Sequence, residues 1–128
     1  MTPQKQTISG LHSNELKGNC MAACIASILD VPISQVPNFM MYEKPLDVLQ
    51  DFVERCGCKY YGSVKNPPAD WAKRFNGVDG YAMVGGTSPR PYVNGHAVVY
   101  KNGKPFFDPH PDNTFILGDV GRVFLITK

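Results

Sequence analysis

Cys20 is the residue whose type and position most clearly suggest chemistry. Apolar residues recur at helical spacing over positions 21–28, and Asn19 before them is predicted to cap a buried helix of about three turns. The unpaired N–H groups of a helix's first turn favour an anion, and the thiolate is the nucleophilic form of cysteine. Cys20 is therefore a candidate nucleophile, whereas Cys24, one turn deeper, is expected in the core.

A cysteine nucleophile also needs a base within hydrogen-bond reach and a third group that orients the base. The chain has 3 histidines, and His96 begins an otherwise apolar strand pattern, which is an unusual place for an imidazole unless it faces a site at the end of the sheet. Asp108 comes directly after the next strand pattern, at 104–107. His96 is the candidate base, and Asp108 is the candidate orienting group.

The hairpin between His96 and Asp108 decides whether they can meet. A three-residue loop at 101–103, with Gly103 in the left-handed conformation, pairs Tyr100 with Lys104 and places His96 opposite Asp108 on one face of the sheet. A two-residue Asn-Gly turn instead places Asp108 on the other face. The catalytic interpretation therefore predicts the longer loop.

Composition and charge argue against several other classes of function. The chain has 128 residues, 43% of them hydrophobic, and a formal net charge of +2 without a basic run, so neither nucleic acid nor a membrane surface is expected as a partner. The longest apolar stretch is too short to span a bilayer, and no signal peptide is recognised, so a cytoplasmic location is expected. The 4 cysteines match neither a common zinc motif nor a disulfide framework, and no cofactor or metal is predicted.

The remaining patterns predict how these residues are positioned. An irregular arm at 1–18 precedes the Cys20 helix, a second helix begins at Pro45 and ends at Gly57, and a short helix follows Pro68. Strand patterns lie at 59–61, 81–84, 96–100, 104–107 and 122–126. Helices come first and strands last, so we expect one α+β domain over 1–128, with the helices packed on one side of a mostly antiparallel sheet.

The chain resembles the papain-like cysteine peptidase superfamily in the order of a helix-start Cys, a strand His and an Asp after the following strand. The nearest likeness is to bacteriocin-leader peptidases and to small papain-like proteins of bacteriophages, through the segments GNCMAACIASILDVPISQVPNF and HAVVYKNGKPFFDPHP. It covers residues 18–111. The resemblance implies a catalytic triad of Cys20, His96 and Asp108, and it implies Asn14, six residues before the nucleophile, as the oxyanion donor.

Several residues have more than one interpretation. Gln4 and Gln6 are alternative oxyanion donors if the arm folds back, and His12 is an alternative base. Arg90 is predicted to recognise a carboxylate or phosphate on the substrate, or else to be a solvated loop residue. His110 is predicted to line the cleft. It is not predicted to bind a metal, because its surroundings do not form a metal motif.

The sequence thus predicts a cysteine hydrolase, bacteriophage-encoded by resemblance, that cleaves a peptide, isopeptide or other small acyl-amide through a thioester. With an amine acceptor the same site would be a transferase. The alternative is an inactive papain-like binding module that sequesters a host protein or a small molecule. A third interpretation, redox sensing through Cys20 and Cys24, leaves His96 and Asp108 unexplained.

Overall fold

The structure is a computed structural model that describes residues 1–8, 18–90 and 95–128. Within these ranges it contains two α-helices, five strands and three single 3-10 turns. The helices are α1 (Cys20–Leu29) and α2 (Pro45–Arg55), and the strands are β1 (Lys59–Lys65), β2 (Tyr81–Thr87), β3 (Gly95–Lys101), β4 (Lys104–Phe107) and β5 (Leu117–Thr127). The helices precede the strands along the chain, so the α+β prediction is confirmed.

The strands form a single antiparallel sheet in the order β1-β5-β2-β3-β4 among the described residues. β5 is longer than its sequence pattern indicates, because a register shift against β2 accommodates the glycines near its start. β4 lies at the edge of the sheet, where Pro105 is tolerated because no outer strand requires its missing N–H.

Helix α1 packs on the central strands β2 and β3 and forms the core between the helices and the sheet. Eight of its residues are buried, which explains why its sequence is apolar nearly all round. Within the described ranges no single helix is long and apolar enough to cross a membrane. One helix pair, Cys20–Leu29 with Ile33–Met41, meets that test by length and composition, but it is bent by 114°.

The second helix follows its sequence signals closely, whereas the predicted third helix does not form. Pro45 occupies the first turn of α2, and Gly57 follows its end at a φ of 84°. The helix expected after Pro68 is only a 3-10 turn at Trp71–Lys73. Packing explains the difference, because Trp71 lies against Tyr100 on the sheet face opposite α1, with ring centroids 6.3 Å apart, and one turn suffices for that contact.

Candidate active site

Asn19 joins the start of α1 to the N-terminal arm. Its side-chain oxygen accepts the N–H of Thr7 at 3.0 Å and that of Ile8 at 2.9 Å, and its amide donates to Thr7 Oγ1 at 2.8 Å. Asn19 occupies the N-cap position of α1, as predicted, but its side chain makes no hydrogen bond to the helix. The arm donates to the Asn19 side-chain oxygen that a cap would use for the helix. The Asn19 side chain therefore does not accept the first-turn N–H groups beside Cys20.

His96 lies near the start of β3, opposite Gly86 of β2. Its Nε2 is 2.6 Å from Asp108 Oδ1, and the two side chains are 2% and 0% exposed. The predicted pairing of histidine and aspartate is present in the structure. A bond this short between buried groups keeps the ring in one orientation.

The hairpin that brings them together differs from the predicted one. Lys101 pairs with Lys104 across a two-residue turn of Asn102 and Gly103, at φ values of 51° and 83°, so the three-residue loop is wrong. The register then shifts: Tyr100 pairs with Pro105 and Val99 with Phe107, which leaves Phe106 as an extra residue, a β-bulge. The bulge returns Asp108 to the face of His96, which the turn alone would have prevented.

The Asp108 carboxylate is held by the chain that follows it. Besides His96, it accepts the N–H of His110 at 2.9 Å and that of Phe115 at 2.8 Å. Phe115 has a φ of 60°, which is uncommon for a bulky side chain and costs on the order of 1–3 kcal/mol. This conformation aims its N–H at Oδ2. Asp108 is therefore oriented by main-chain donors as well as by the imidazole.

These contacts determine the charge of the pair. Burial lowers the pKa of His96, but hydrogen bonds to Asp108 and Cys20, together with the charges of both groups, raise it from 6.5 to about 9. Burial raises the pKa of Asp108, yet the bond from His96 and the two backbone N–H groups hold it below its usual 3.8. The pair is thus imidazolium and carboxylate at neutral pH. Since Nε2 faces Asp108, Nδ1 is the ring nitrogen left for Cys20.

The other cysteines lie in environments that disfavour a thiolate. All four thiols are free. Burial raises the pKa of Cys24 well above 9.0, and burial also raises the pKa of Cys56 and of Cys58. Cys20 differs from them because it is half-buried at the first residue of a helix and contacts an imidazole.

The arm folds back and brings Gln6 to the site. The N–H of Gln6 donates to Pro109 O at 2.9 Å, and its Nε2 donates to Ile8 O at 2.9 Å, the same carbonyl that accepts the N–H of Asn19. Within the described residues its Oε1 is buried and has no hydrogen-bond partner. The main-chain N–H of Gln6 thus contacts the residue after Asp108, and its side-chain amide contacts the carbonyl that also accepts the N–H of Asn19. The side-chain amide keeps a second N–H that could donate to a substrate oxygen.

The other candidate residues of the arm are Gln4, Asn14 and His12. Gln4 is not at the site, because its amide donates to Ala26 O and Val31 O and accepts the N–H of Ile33 beyond the end of α1. Asn14, the oxyanion donor implied by the resemblance, and His12, the alternative base, lie outside the described residues. From the sequence, Gln6 is only an alternative to Asn14, because spacing along the chain does not show where an irregular arm folds back.

Arg90 and His110 meet at Asp112, on the rim of the site. Arg90 Nη1 lies 2.9 Å from Asp112 Oδ2, and His110 Nδ1 accepts the N–H of Asp112 at 3.1 Å. The His110 ring stands edge-on to His96, with centroids 6.3 Å apart. His110 thus lies next to His96, and its lining of a substrate cleft stays a prediction. Substrate contact by either residue stays a prediction.

These features define a mixed α+β protein in which a helix start, a strand and a loop bring a cysteine, a histidine and an aspartate together. The described residues contain no group of three or more His, Cys, Asp or Glu side chains that could hold a metal ion. Comparison of the chain with protein-family models, curated proteins and solved structures found no match. The papain-like resemblance stays a prediction.

Proposed function

We propose that the protein is a papain-like cysteine hydrolase that cleaves an amide-type bond of a peptide, an isopeptide or another acyl-amide. Cys20 is the nucleophile, His96 the general base and acid, and Asp108 the orienting group. The observation that carries the proposal is the buried His96–Asp108 bond of 2.6 Å, on a histidine whose pKa the neighbouring Cys20 helps to raise. Nucleophile, base and orienting group then follow one another as this chemistry requires.

The acylation step follows from the charges of the pair. The Cys20 sulfur, its proton held on His96, attacks the substrate carbonyl carbon, and the C=O electron pair moves onto the oxygen. When the tetrahedral intermediate collapses, the carbon–nitrogen bond breaks and His96 gives its Nδ1 proton to the leaving amine. The products of this step are a free amine, a thioester on Cys20 and a neutral His96.

We assign two donors to the developing oxyanion. The N–H of Cys20 belongs to the first turn of α1, where backbone N–H groups have no partner within the helix. The second Nε2 hydrogen of Gln6 is the side-chain donor that the contacts of the arm support. Asn14 stays the alternative side-chain donor.

Release of the acyl group reverses the roles of the same residues. Neutral His96 takes a proton from water, the resulting hydroxide attacks the thioester carbon, and the carbon–sulfur bond breaks to give a carboxylic acid. Cys20 and protonated His96 are then regenerated. An amine in place of water would give a transferase, so the acceptor decides between the two reactions.

The test is alkylation by stoichiometric iodoacetamide between pH 5 and 9, with mass-spectrometric mapping of each cysteine. Cys20 should be labelled first, at least about ten times faster than Cys56 at pH 6.5, because its sulfur lies beside a cation. The His96→Ala variant should lose this advantage. The His110→Ala variant is the matched control, since it removes a neighbouring imidazole that does not bond Cys20.

Equal, slow labelling of all four cysteines in the wild-type protein would overturn the hydrolase proposal. Fast labelling of Cys20 that persists in His96→Ala would also contradict it, because the imidazole would then have no part in activating the thiol.

A further inference from the structure

Lys5 contacts the loop that carries Asp108. We call residues 108–115 the Asp108 loop. Lys5 Nζ donates to Asp108 O at 2.9 Å, to His110 O at 3.1 Å and to Asn113 Oδ1 at 2.5 Å. A lysine ammonium has three N–H donors, and here all of them have an acceptor in one loop.

The lysine is held in place by further contacts. Its Nζ stands 5.2 Å from the centre of the Phe107 ring, the residue that precedes the Asp108 loop. The next residue of the arm, Gln6, donates its N–H to Pro109 O at 2.9 Å. Although Lys5 as a whole is exposed, its bond to Asp108 O is partly buried. The arm therefore binds the loop through both side chain and main chain.

The three acceptors lie where the loop must turn. Asn113, whose side chain Lys5 contacts, has a φ of 55°, and Phe115 two residues later has a φ of 60°. The N–H of that same Phe115 donates to Asp108 Oδ2. A phenylalanine in the left-handed conformation is strained, and contacts within and outside the loop must hold it there.

We propose that Lys5 is a positioning residue of the Cys20–His96–Asp108 site. Its ammonium holds the Asp108 loop so that the carboxylate stays within hydrogen-bond reach of His96 Nε2. This inference rests on the proposed function for its catalytic meaning, although the positioning itself is measurable without a substrate.

The direction in which the pKa of His96 changes distinguishes a positioning role of Lys5 from a purely electrostatic one. A positive charge near His96 disfavours the imidazolium, so loss of the Lys5 charge alone would raise the pKa of His96. Loss of positioning would weaken the bond between Asp108 and His96 and would lower that pKa. A role in folding stability alone would leave the pKa of His96 unchanged in the folded protein.

The experiment measures the pKa of His96 by NMR titration of its imidazole nitrogens in the wild-type protein, Lys5→Met and Lys101→Met. Lys101 is the matched control, because its Nζ also stands over aromatic rings, 5.0 Å from Tyr81 and 5.5 Å from Phe106. We expect the pKa of His96 to fall by roughly one unit in Lys5→Met and to stay constant in Lys101→Met. Labelling of Cys20 at pH 6.5 should slow several-fold in Lys5→Met only.

Asn113→Gly supplies a second variant if Lys5→Met fails to fold. It removes the closest acceptor of Lys5, keeps the lysine charge and tolerates the positive φ, so the pKa of His96 should fall by a smaller amount. An unchanged or raised pKa in Lys5→Met, or in Asn113→Gly where only that variant folds, would overturn the proposal. Slow labelling of Cys20 in the wild-type protein would overturn the hydrolase function instead, whatever the pKa shift.

Discussion

Two pairs, each of an aspartate and a basic side chain, have the same nitrogen–oxygen distance but differ in their exposure to solvent. His96 and Asp108 are 2.6 Å apart and 2% and 0% exposed, whereas Lys128 and Asp79 are 2.6 Å apart and 67% and 66% exposed. They lie at opposite ends of β2, since Asp79 precedes that strand and His96 pairs with Gly86 near its end. Distance is therefore equal, and burial is the variable that differs.

The cysteines of the two regions repeat the contrast. Cys20 begins α1, while Cys56 follows the last residue of α2 and lies with Cys58, Asp79 and Lys128 around a cavity of ≈ 390 Å³. A helix favours an anion at its start and disfavours one at its end. Cys56 is the more exposed thiol, yet burial of its sulfur and the nearby Cys58 raise its pKa. Exposure alone therefore does not predict which thiol reacts first.

The comparison indicates what makes one pair a candidate for catalysis. In water an ion pair contributes little, because solvent competes for both partners. In the site, the carboxylate has three protein donors, and the imidazole has the carboxylate on Nε2 and Cys20 near enough to raise its pKa. Buried groups with this many partners hold one geometry.

The largest expected effect comes from breaking the buried pair. Asp108→Asn keeps the shape but removes the charge, and its amide group meets the donors of His96, His110 and Phe115. We expect a loss of about 2–4 kcal/mol in the free energy of unfolding and the disappearance of the rate advantage of Cys20 over Cys56 in labelling. Urea unfolding and labelling at pH 6.5 measure these quantities.

Asp79→Asn is the matched control for that variant, because it makes the same substitution in the exposed pair of equal length. It should change the free energy of unfolding by no more than about 0.5 kcal/mol. Similar losses in both variants would show that burial does not separate the two pairs.

The second prediction concerns pH. The pKa of folded His96 is about 9, above the unfolded value of 6.5, so the protonated ring stabilises the fold fully below pH 6.5. This stabilisation, at most about 3 kcal/mol, is lost as the pH rises from 6.5 through 9. Unfolding free energies are measured at pH 6, 7.5 and 9.5. The difference between the wild-type protein and His96→Gln should shrink toward the alkaline end. Parallel curves for the two proteins would contradict the raised pKa.

The smallest effect is expected at the far end of the sheet. Cys56→Ser should change the free energy of unfolding by less than about 0.5 kcal/mol, because the residue is exposed. It should leave the labelling rate of Cys20 unaltered, as measured by peptide mapping at pH 6.5. Slower labelling of Cys20 in this variant would mean that the two regions are coupled and are not independent sites.

Much of the fold was predictable because local rules govern it. The apolar pattern before Pro32 and the Pro45 and Gly57 signals located both helices, and strand patterns located the five strands. In the apolar run at 39–42, Phe39 is buried, whereas Met40, Met41 and Tyr42 are 44%, 51% and 51% exposed. Which apolar residue of a run faces inward depends on packing that the run itself does not encode.

The hairpin shows where local and long-range reasoning meet. The Asn102-Gly103 pair is a strong local signal for a two-residue turn, and the need for His96 to face Asp108 argued for a longer loop. The structure has the two-residue turn, and His96 and Asp108 nevertheless share a face of the sheet, because the extra residue Phe106 shifts the register. A bulge has no reliable local signature, so only strand pairing reveals it.

The sequence by itself determined the helix that begins at Cys20, the strand that carries His96 and the aspartate after the next strand, because periodicity and turn residues act over a few positions. Tertiary structure decided the rest: the bulge, the donors of the Asp108 loop, and an arm that brings Lys5 and Gln6 to the site. The physical reason is distance along the chain. Lys5 and Asp108 are 103 positions apart, and no local pattern links residues so far apart until the chain has folded.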